Sequence, residues 1–254
     1  MDHSRESPAF PSTRLSVISL ARSPDPVIRR RAHTALVSTY WKPVYRYIRL
    51  RWNATPDDAE DLTQEFFAGA IELPTFERYD AARGRFRTYL RTCIDGFVAN
   101  AHKAAGRQKR GGGVEHVPLD FTTAEGEIRE LPIPSSQDPE TLFRDEWVRH
   151  LFELAVEDTR TQCAGDDKTV HFSLFERYDL APRDETSRLS YDDLARELGI
   201  PVTQVTNYLA LARRRFRAAL LERVREATGS DDEFRAEVRD LLGGAFGERE
   251  NGPR

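Results

Sequence analysis

Tyr191-Asp192-Asp193-Leu194-Ala195-Arg196-Glu197-Leu198-Gly199-Ile200-Pro201-Val202-Thr203-Gln204-Val205-Thr206-Asn207-Tyr208 has the form of a helix-turn-helix. Leu194, Leu198, Ile200, Val205 and Tyr208 supply an apolar core for two crossing helices. Ala195 is small enough for the second helix to pass closely, and Gly199 permits the left-handed turn conformation. Ser190 and Asp193 form a Ser-x-x-Asp capping box at the first helix. Pro201 suits the start of the second, where its missing N–H is not needed. DNA is therefore the first partner to consider.

Downstream, Arg213, Arg214, Arg215 and Arg217 extend the expected recognition helix and are suited to backbone phosphates, contacts that position without specifying sequence. Base reading falls to polar side chains near the helix start. Gln204, Thr206 and Asn207 are the candidates, since Gln and Asn can bond two atoms on an adenine edge. The alternative is that some of them merely face solvent.

Upstream, Thr55-Pro56-Asp57-Asp58 reads as a helix start, with Thr55 as cap, Pro56 at the first helical position and carboxylates favourable to the dipole. Ala59, Leu62 and Phe66 fall on one face, and Asp61, Gln64 and Glu65 on another. A second helix is predicted over about 84–105 from the repeat of Phe86, Leu90, Ile94, Phe97, Val98 and Ala101, with Gly106 as its stop. Val37, Tyr40, Trp41, Val44, Tyr45 and Ile48 predict another amphipathic helix, which Pro43 either kinks or bounds. No alternating strand pattern and no repeat of solenoid period is present, so the fold class is all-α.

The formal net charge of −4 conceals blocks of opposite sign. Asp57, Asp58, Glu60, Asp61, Glu65, Glu72, Glu77 and Asp80 face only Arg78 over 57–80. Arg83, Arg85, Arg87, Arg91, Lys103, Arg107, Lys109 and Arg110 face only Asp95 over 81–113. The basic stretch interleaves Phe86, Tyr89 and Phe97, the mixture that holds single-stranded nucleic acid. Phe86 and Phe97 lie on the periodic apolar face and read as core, which leaves Tyr89 as the less committed aromatic.

With 254 residues, 39% hydrophobic and 31% charged, the chain is too charged for a membrane protein and long enough for two small domains. It contains no apolar run near the roughly 20 residues that span a bilayer, and no secretory leader pattern, so a cytoplasmic location is expected. Cys93 and Cys163 belong to no Cys-x-x-Cys pair and read as reduced thiols rather than zinc ligands. Gly111-Gly112-Gly113, four prolines and a run of acids over 111–140 predict an extended linker. Complementary charge suggests that this linker occupies the basic helix. The expected division is a helical domain over 13–110, the acidic linker over 111–140, a helix-turn-helix domain over 141–228 and a C-terminal extension over 229–254.

Taken together, these parts resemble a bacterial RNA polymerase sigma factor of the extracytoplasmic-function type. Asp58-Ala59-Glu60-Asp61-Leu62-Thr63-Gln64-Glu65-Phe66-Phe67 resembles that family's core-polymerase-binding helix, and Arg85-Phe86-Arg87-Thr88-Tyr89-Leu90-Arg91 its promoter-opening segment. The tail over 231–242 is similar to tails in the larger members common in planctomycete and myxobacterial genomes. The resemblance implies that Asp61, Gln64 and Glu65 contact a basic coiled coil of the polymerase, with Leu62 and Phe66 supporting them from behind. It implies that Arg87, Tyr89, Arg91, Asn100 and Lys103 capture the unpaired non-template strand of the minus-ten element, with Arg107, Lys109 and Arg110 on phosphates. It further implies that the helix-turn-helix holds the minus-thirty-five duplex, with Gln204, Thr206, Asn207, Arg213, Arg214 and Arg215 on DNA. Core RNA polymerase and promoter DNA are then the partners, and an anti-sigma protein or other regulator is left open.

Two other classes compete. A stand-alone helix-turn-helix regulator has no need for the acidic face of Asp61, Gln64 and Glu65. A nuclease using Asp58, Asp61 and Glu65 as metal ligands would need oxygen ligands converging from several directions, and no matching site is evident. Neither His-Glu-x-x-His, a phosphate-binding glycine loop nor Gly-x-Ser-x-Gly occurs. The expectation is no catalysis, no metal and no cofactor.

Overall fold

Short polar side chains and prolines set most of the helix starts. Asp25 accepts from the Val27 and Ile28 amides at 2.8 and 3.4 Å, and Pro26 opens the helix behind it. Thr55 accepts from the Asp58 amide at 3.2 Å ahead of Pro56, and Asp138 accepts from Glu140 and Thr141 at 3.0 and 3.1 Å ahead of Pro139. Each such cap contributes about 0.5–2 kcal/mol by satisfying amides that have no intrahelical partner.

The computed structural model describes residues 17–72, 75–76, 78–105, 119–130, 138–181 and 189–246. Every regular element among them is helical: α1 (Val17–Leu20), α2 (Pro26–Arg51), α3 (Pro56–Glu72), α4 (Phe86–Ala105), α5 (Phe121–Glu130), α6 (Pro139–Gly165), α7 (Thr169–Phe175) continuing into a π-helical turn (Glu176–Leu180), α8 (Tyr191–Leu198), α9 (Val202–Glu226) and α10 (Asp231–Phe246). The all-α expectation holds. α2 runs unbroken through Pro43, and the buried Tyr40, Val44, Tyr47 and Ile48 around it pack this part of the helix into the core, which offsets the cost of the missing hydrogen bond.

The long helix α6 packs against both α2 and α9, and one apolar core draws on α1 to α6 together with the ends of α9 and α10. Aromatic rings dominate it. Tyr40 meets Phe86 edge-on at 5.5 Å, Tyr47 meets Phe143 at 5.4 Å, and Trp147 is fully buried. The Tyr40 hydroxyl donates to the Ala227 carbonyl at 2.8 Å, so helices distant in sequence are tied at the centre. A second core of Cys163, Phe172, Leu174, Phe175, Leu194, Val205, Leu209 and Ala212 joins α6, α7, α8 and α9.

The stretch expected to be an extended linker contains α5. Phe121, Ala124 and Ile128 repeat at helical spacing and are buried, and Asp120 caps the start by accepting from the Thr123 amide at 3.0 Å. Glu125 and Glu127 of α5 face α2, whereas Glu140, the last acid of that stretch, bonds Arg87 and Arg91 of α4. Glu125 pairs with Arg49 at 2.8 Å and accepts from the Tyr45 hydroxyl, and Glu127 pairs with Lys42 at 2.7 Å and with Arg46. Glu146 and Glu153 of α6 complete the cluster around the buried Arg46 at 3.2 and 3.3 Å. Such a layer is sensitive to losing one member, since an orphaned buried charge costs about 3–5 kcal/mol.

Candidate polymerase and nucleic-acid interfaces

At 100° per residue, Ala59, Thr63, Phe66, Phe67 and Ala70 share one side of α3, and all are buried. Asp57, Asp58, Asp61 and Glu65 project from the other side, exposed, with Gln64 half-buried beside Glu60 at 3.3 Å. Phe66 lies edge-on to Phe97 of α4 at 5.6 Å, which locks the helix from behind. Asp61 and Glu65 have no ion pair among the described residues. A carboxylate face held open on a rigid helix is suited to a basic partner.

The α4 candidates divide between two flanks. Tyr89, Asn100 and Lys103 fall on one side of the buried stripe of Phe86, Leu90, Ile94 and Val98. Asn100 and Lys103 are exposed, while the Tyr89 hydroxyl donates to the Thr75 carbonyl at 2.6 Å. Arg87 and Arg91 fall on the other side and meet carboxylates. Arg87 bonds Glu237 at 2.8 Å and Glu140 at 2.7 Å, with its guanidinium 5.8 Å from the Trp147 ring. Arg91 bonds Glu140 at 2.9 Å and Asp95 at 2.6 Å. Arg107, Lys109 and Arg110 lie outside the described residues.

The C-terminal extension reaches this flank as α10. Arg85, just ahead of α4, pairs with Glu237 at 3.3 Å and Asp240 at 2.6 Å. The Glu233 carboxylate accepts from the Phe86 amide at 2.6 Å, the Tyr79 hydroxyl at 2.9 Å and the Gly229 amide at 2.7 Å. It therefore serves both the first turn of α4 and the start of α10. Burial pushes the Glu237 carboxyl above the usual range despite Arg87 and Arg85. Glu140 is also raised by burial, but hydrogen bonds from Thr88 and Arg91 and the charges of Arg87 and Arg91 outweigh it and hold that carboxyl low.

In the C-terminal half, Ser190 and Asp193 form the expected reciprocal cap, with both bonds at 3.1 Å, and Gly199 adopts φ 63° and ψ 31°. Leu194, Val205 and Leu209 are fully buried, while Ile200 and Tyr208 are half-buried and Tyr208 stacks on His171 at 3.9 Å. Leu198, expected in the core, is 37% exposed because α8 ends there and its side chain lies at the rim. Asn207 and Arg214 are exposed on the face of α9 opposite Val205, Leu209 and Ala212, and Gln204 is exposed on one flank of that stripe. Thr206 is exposed on the flank, its hydroxyl donating to the Val202 carbonyl at 3.1 Å. Arg213 is held bidentately by Asp179 at 2.8 and 2.9 Å, and Arg215 by Asp166 and the Gln162 carbonyl.

Residues 36–108 match the Sigma-70 region 2 family. That segment holds most of α2, all of α3 and α4, the acidic face and both flanks of basic residues. The region 2 match supports a sigma-factor role in transcription initiation, and it implies core RNA polymerase and promoter DNA as partners. Sigma-70 region 2 is a transcription-factor family, not an enzyme class. Neither curated proteins nor solved structures gave a match. No described helix is long and apolar enough to cross a membrane, and no described group of three or more His, Cys, Asp or Glu is placed to hold a metal ion.

Sequence reasoning missed Glu233, Glu237 and Asp240. Ser230-x-x-Glu233 has the capping-box spacing, and the Glu233 amide does bond Ser230 at 3.1 Å. Nothing in that local pattern signals that the carboxylate also reaches α4. Asp166 and Asp179 were missed for the same reason.

Proposed function

We propose that the chain is a sigma factor of the extracytoplasmic-function type that binds core RNA polymerase, directs it to a promoter and helps open the duplex. Asp61, Gln64 and Glu65 form the polymerase-binding face, with Phe66 fixing the helix that carries them. Tyr89, Asn100 and Lys103 take the unpaired promoter strand on one flank of α4, and Arg107, Lys109 and Arg110, which follow in the sequence, hold its phosphates. Arg87 and Arg91 complete the contact on the other. Gln204, Thr206 and Asn207 read the duplex, and Arg214 holds phosphates. Arg213 and Arg215 join it only by exchanging Asp179 and Asp166 for DNA. The polypeptide performs no covalent chemistry, and an anti-sigma protein is a candidate regulator.

The observation that carries this reading is the open carboxylate face of α3 inside the segment that matches Sigma-70 region 2. A stand-alone regulator has no use for such a face. Asp61→Lys with Glu65→Lys reverses its charge at exposed positions, where the fold should tolerate the change within about 0.5 kcal/mol. The expected result is loss of holoenzyme in a core-polymerase pull-down with an unchanged circular dichroism melt. Normal core affinity in that variant refutes the assignment.

A further inference from the structure

We propose that α10, together with Glu140 at the start of α6, is an internal latch that occupies the cationic edge of α4 and keeps the free chain from holding single-stranded DNA there. The inference rests on the reading of α4 as a strand-binding helix and adds its regulation. Arg85, Arg87 and Arg91 are each bonded to carboxylates: Glu237 and Asp240 from α10, Glu140 from α6, and Asp95 from α4 itself. A guanidinium binds carboxylate and phosphate with the same planar fork, so the two anions compete for it directly. The first amide of α4 is taken as well, by Glu233. A helix start flanked by arginines is an anion site, and here the protein supplies the anion.

Two features make this a latch with a removable half. Asp240 and Glu140 sit at the rim, with side chains 49% and 37% exposed, whereas Glu237 is 2% exposed behind them. Among the described side chains of α10, the large apolar ones are Phe234, Val238 and Leu241, each only partly buried, and Arg225 stacks over Phe234 at 3.8 Å. The described attachment of α10 depends heavily on charge, and the partly exposed Arg85–Asp240 pair is the part that salt, polymerase contact or a competing polyanion weakens.

The test uses the full chain and a fluorescently labelled single-stranded DNA of about 12 nucleotides, within the usual site size for such grooves. Glu140→Gln with Asp240→Asn removes the rim carboxylates. The expected result is about a tenfold or greater gain in affinity, with a steeper fall of affinity with salt as more phosphates are engaged. A control with the same charge change elsewhere, Glu157→Gln with Asp192→Asn, should gain much less. Glu237→Gln is the deeper variant, and its fold is checked by circular dichroism; the rim variant keeps the test valid if it unfolds. Unchanged affinity in the rim variant, or an equal gain in the control, overturns the latch. Core-polymerase binding by the native chain is measured in parallel. Retained core binding with unchanged oligonucleotide affinity defeats the latch alone, while absence of core binding defeats the functional reading and the latch with it.

Discussion

Replacing Gly229 by alanine tests how tightly α10 is fastened. The residue sits between α9 and α10, and its backbone is not in the left-handed region, so alanine meets no conformational penalty there. The obstacle is space. A Cβ at this position would lie 2.5 Å from Cε1 of Tyr79 and 3.2 Å from its Cζ and Oη. Tyr79 has little room to give way: it is 4% exposed, edge-on to Phe86 at 5.1 Å, and its hydroxyl lies 2.9 Å from Glu233 and 3.0 Å from the Gly84 carbonyl. Overpacking of this kind costs about 1–3 kcal/mol. The reduced entropy of the unfolded chain returns about 0.5 kcal/mol. The net loss of about 0.5–2.5 kcal/mol corresponds to a fall in Tm of about 1–10 °C for a chain of this size. Calorimetry reads the global loss, and amide exchange in α10 reads whether opening is local. Tyr79→Leu in the same chain makes room for the methyl group, so the double variant should lose less than the sum of the single losses. An unchanged or raised Tm for Gly229→Ala, or strict additivity with Tyr79→Leu, refutes the argument.

Gly199 offers the opposite case: nothing lies within 4 Å of its would-be Cβ, but φ is +63°. Gly199→Ala should cost about 1–2 kcal/mol from backbone strain alone, and Gly199→Asn less; equal urea midpoints for all three proteins would contradict this. Burial raises the Glu153 carboxyl, but hydrogen bonds from His150 and Lys42 and the charges of Arg46 and Lys42 more than reverse it, to about 2 from 4.5. Because the folded value is the lower one, its contribution is complete above pH about 4.5 and is lost as pH falls toward about 2. Carbon-13 titration of Glu153 should place the midpoint near 2, and a midpoint near the ordinary value of about 4.3 would overturn the assignment.

Periodicity and caps made the helices legible where both signals coincided. Thr55-Pro56 and Ser190 with Asp193 mark starts the structure reproduces, and the stripe from Phe86 to Val98 marks a buried face. The 111–140 stretch misled because its glycines, prolines and acids outweighed the short repeat of Phe121, Ala124 and Ile128, whose value depends on α2 being there to cover it. Leu198 misled for a related reason, since helical spacing identifies a face but not where that face meets solvent.

By itself the sequence determined the all-α class, the acidic face of α3 and the left-handed turn at Gly199, because each follows from interactions between residues a few positions apart. Only the tertiary structure decided which charges stay open. Asp61 and Glu65 remain exposed, whereas Arg87 and Arg213, equally charged in the sequence, are held by Glu237 and Asp179. A carboxylate 150 residues away along the chain from Arg87 leaves no periodic trace beside it. Its position is set by the packing of α9 and α10, and that packing determines which part of the basic helix faces solvent.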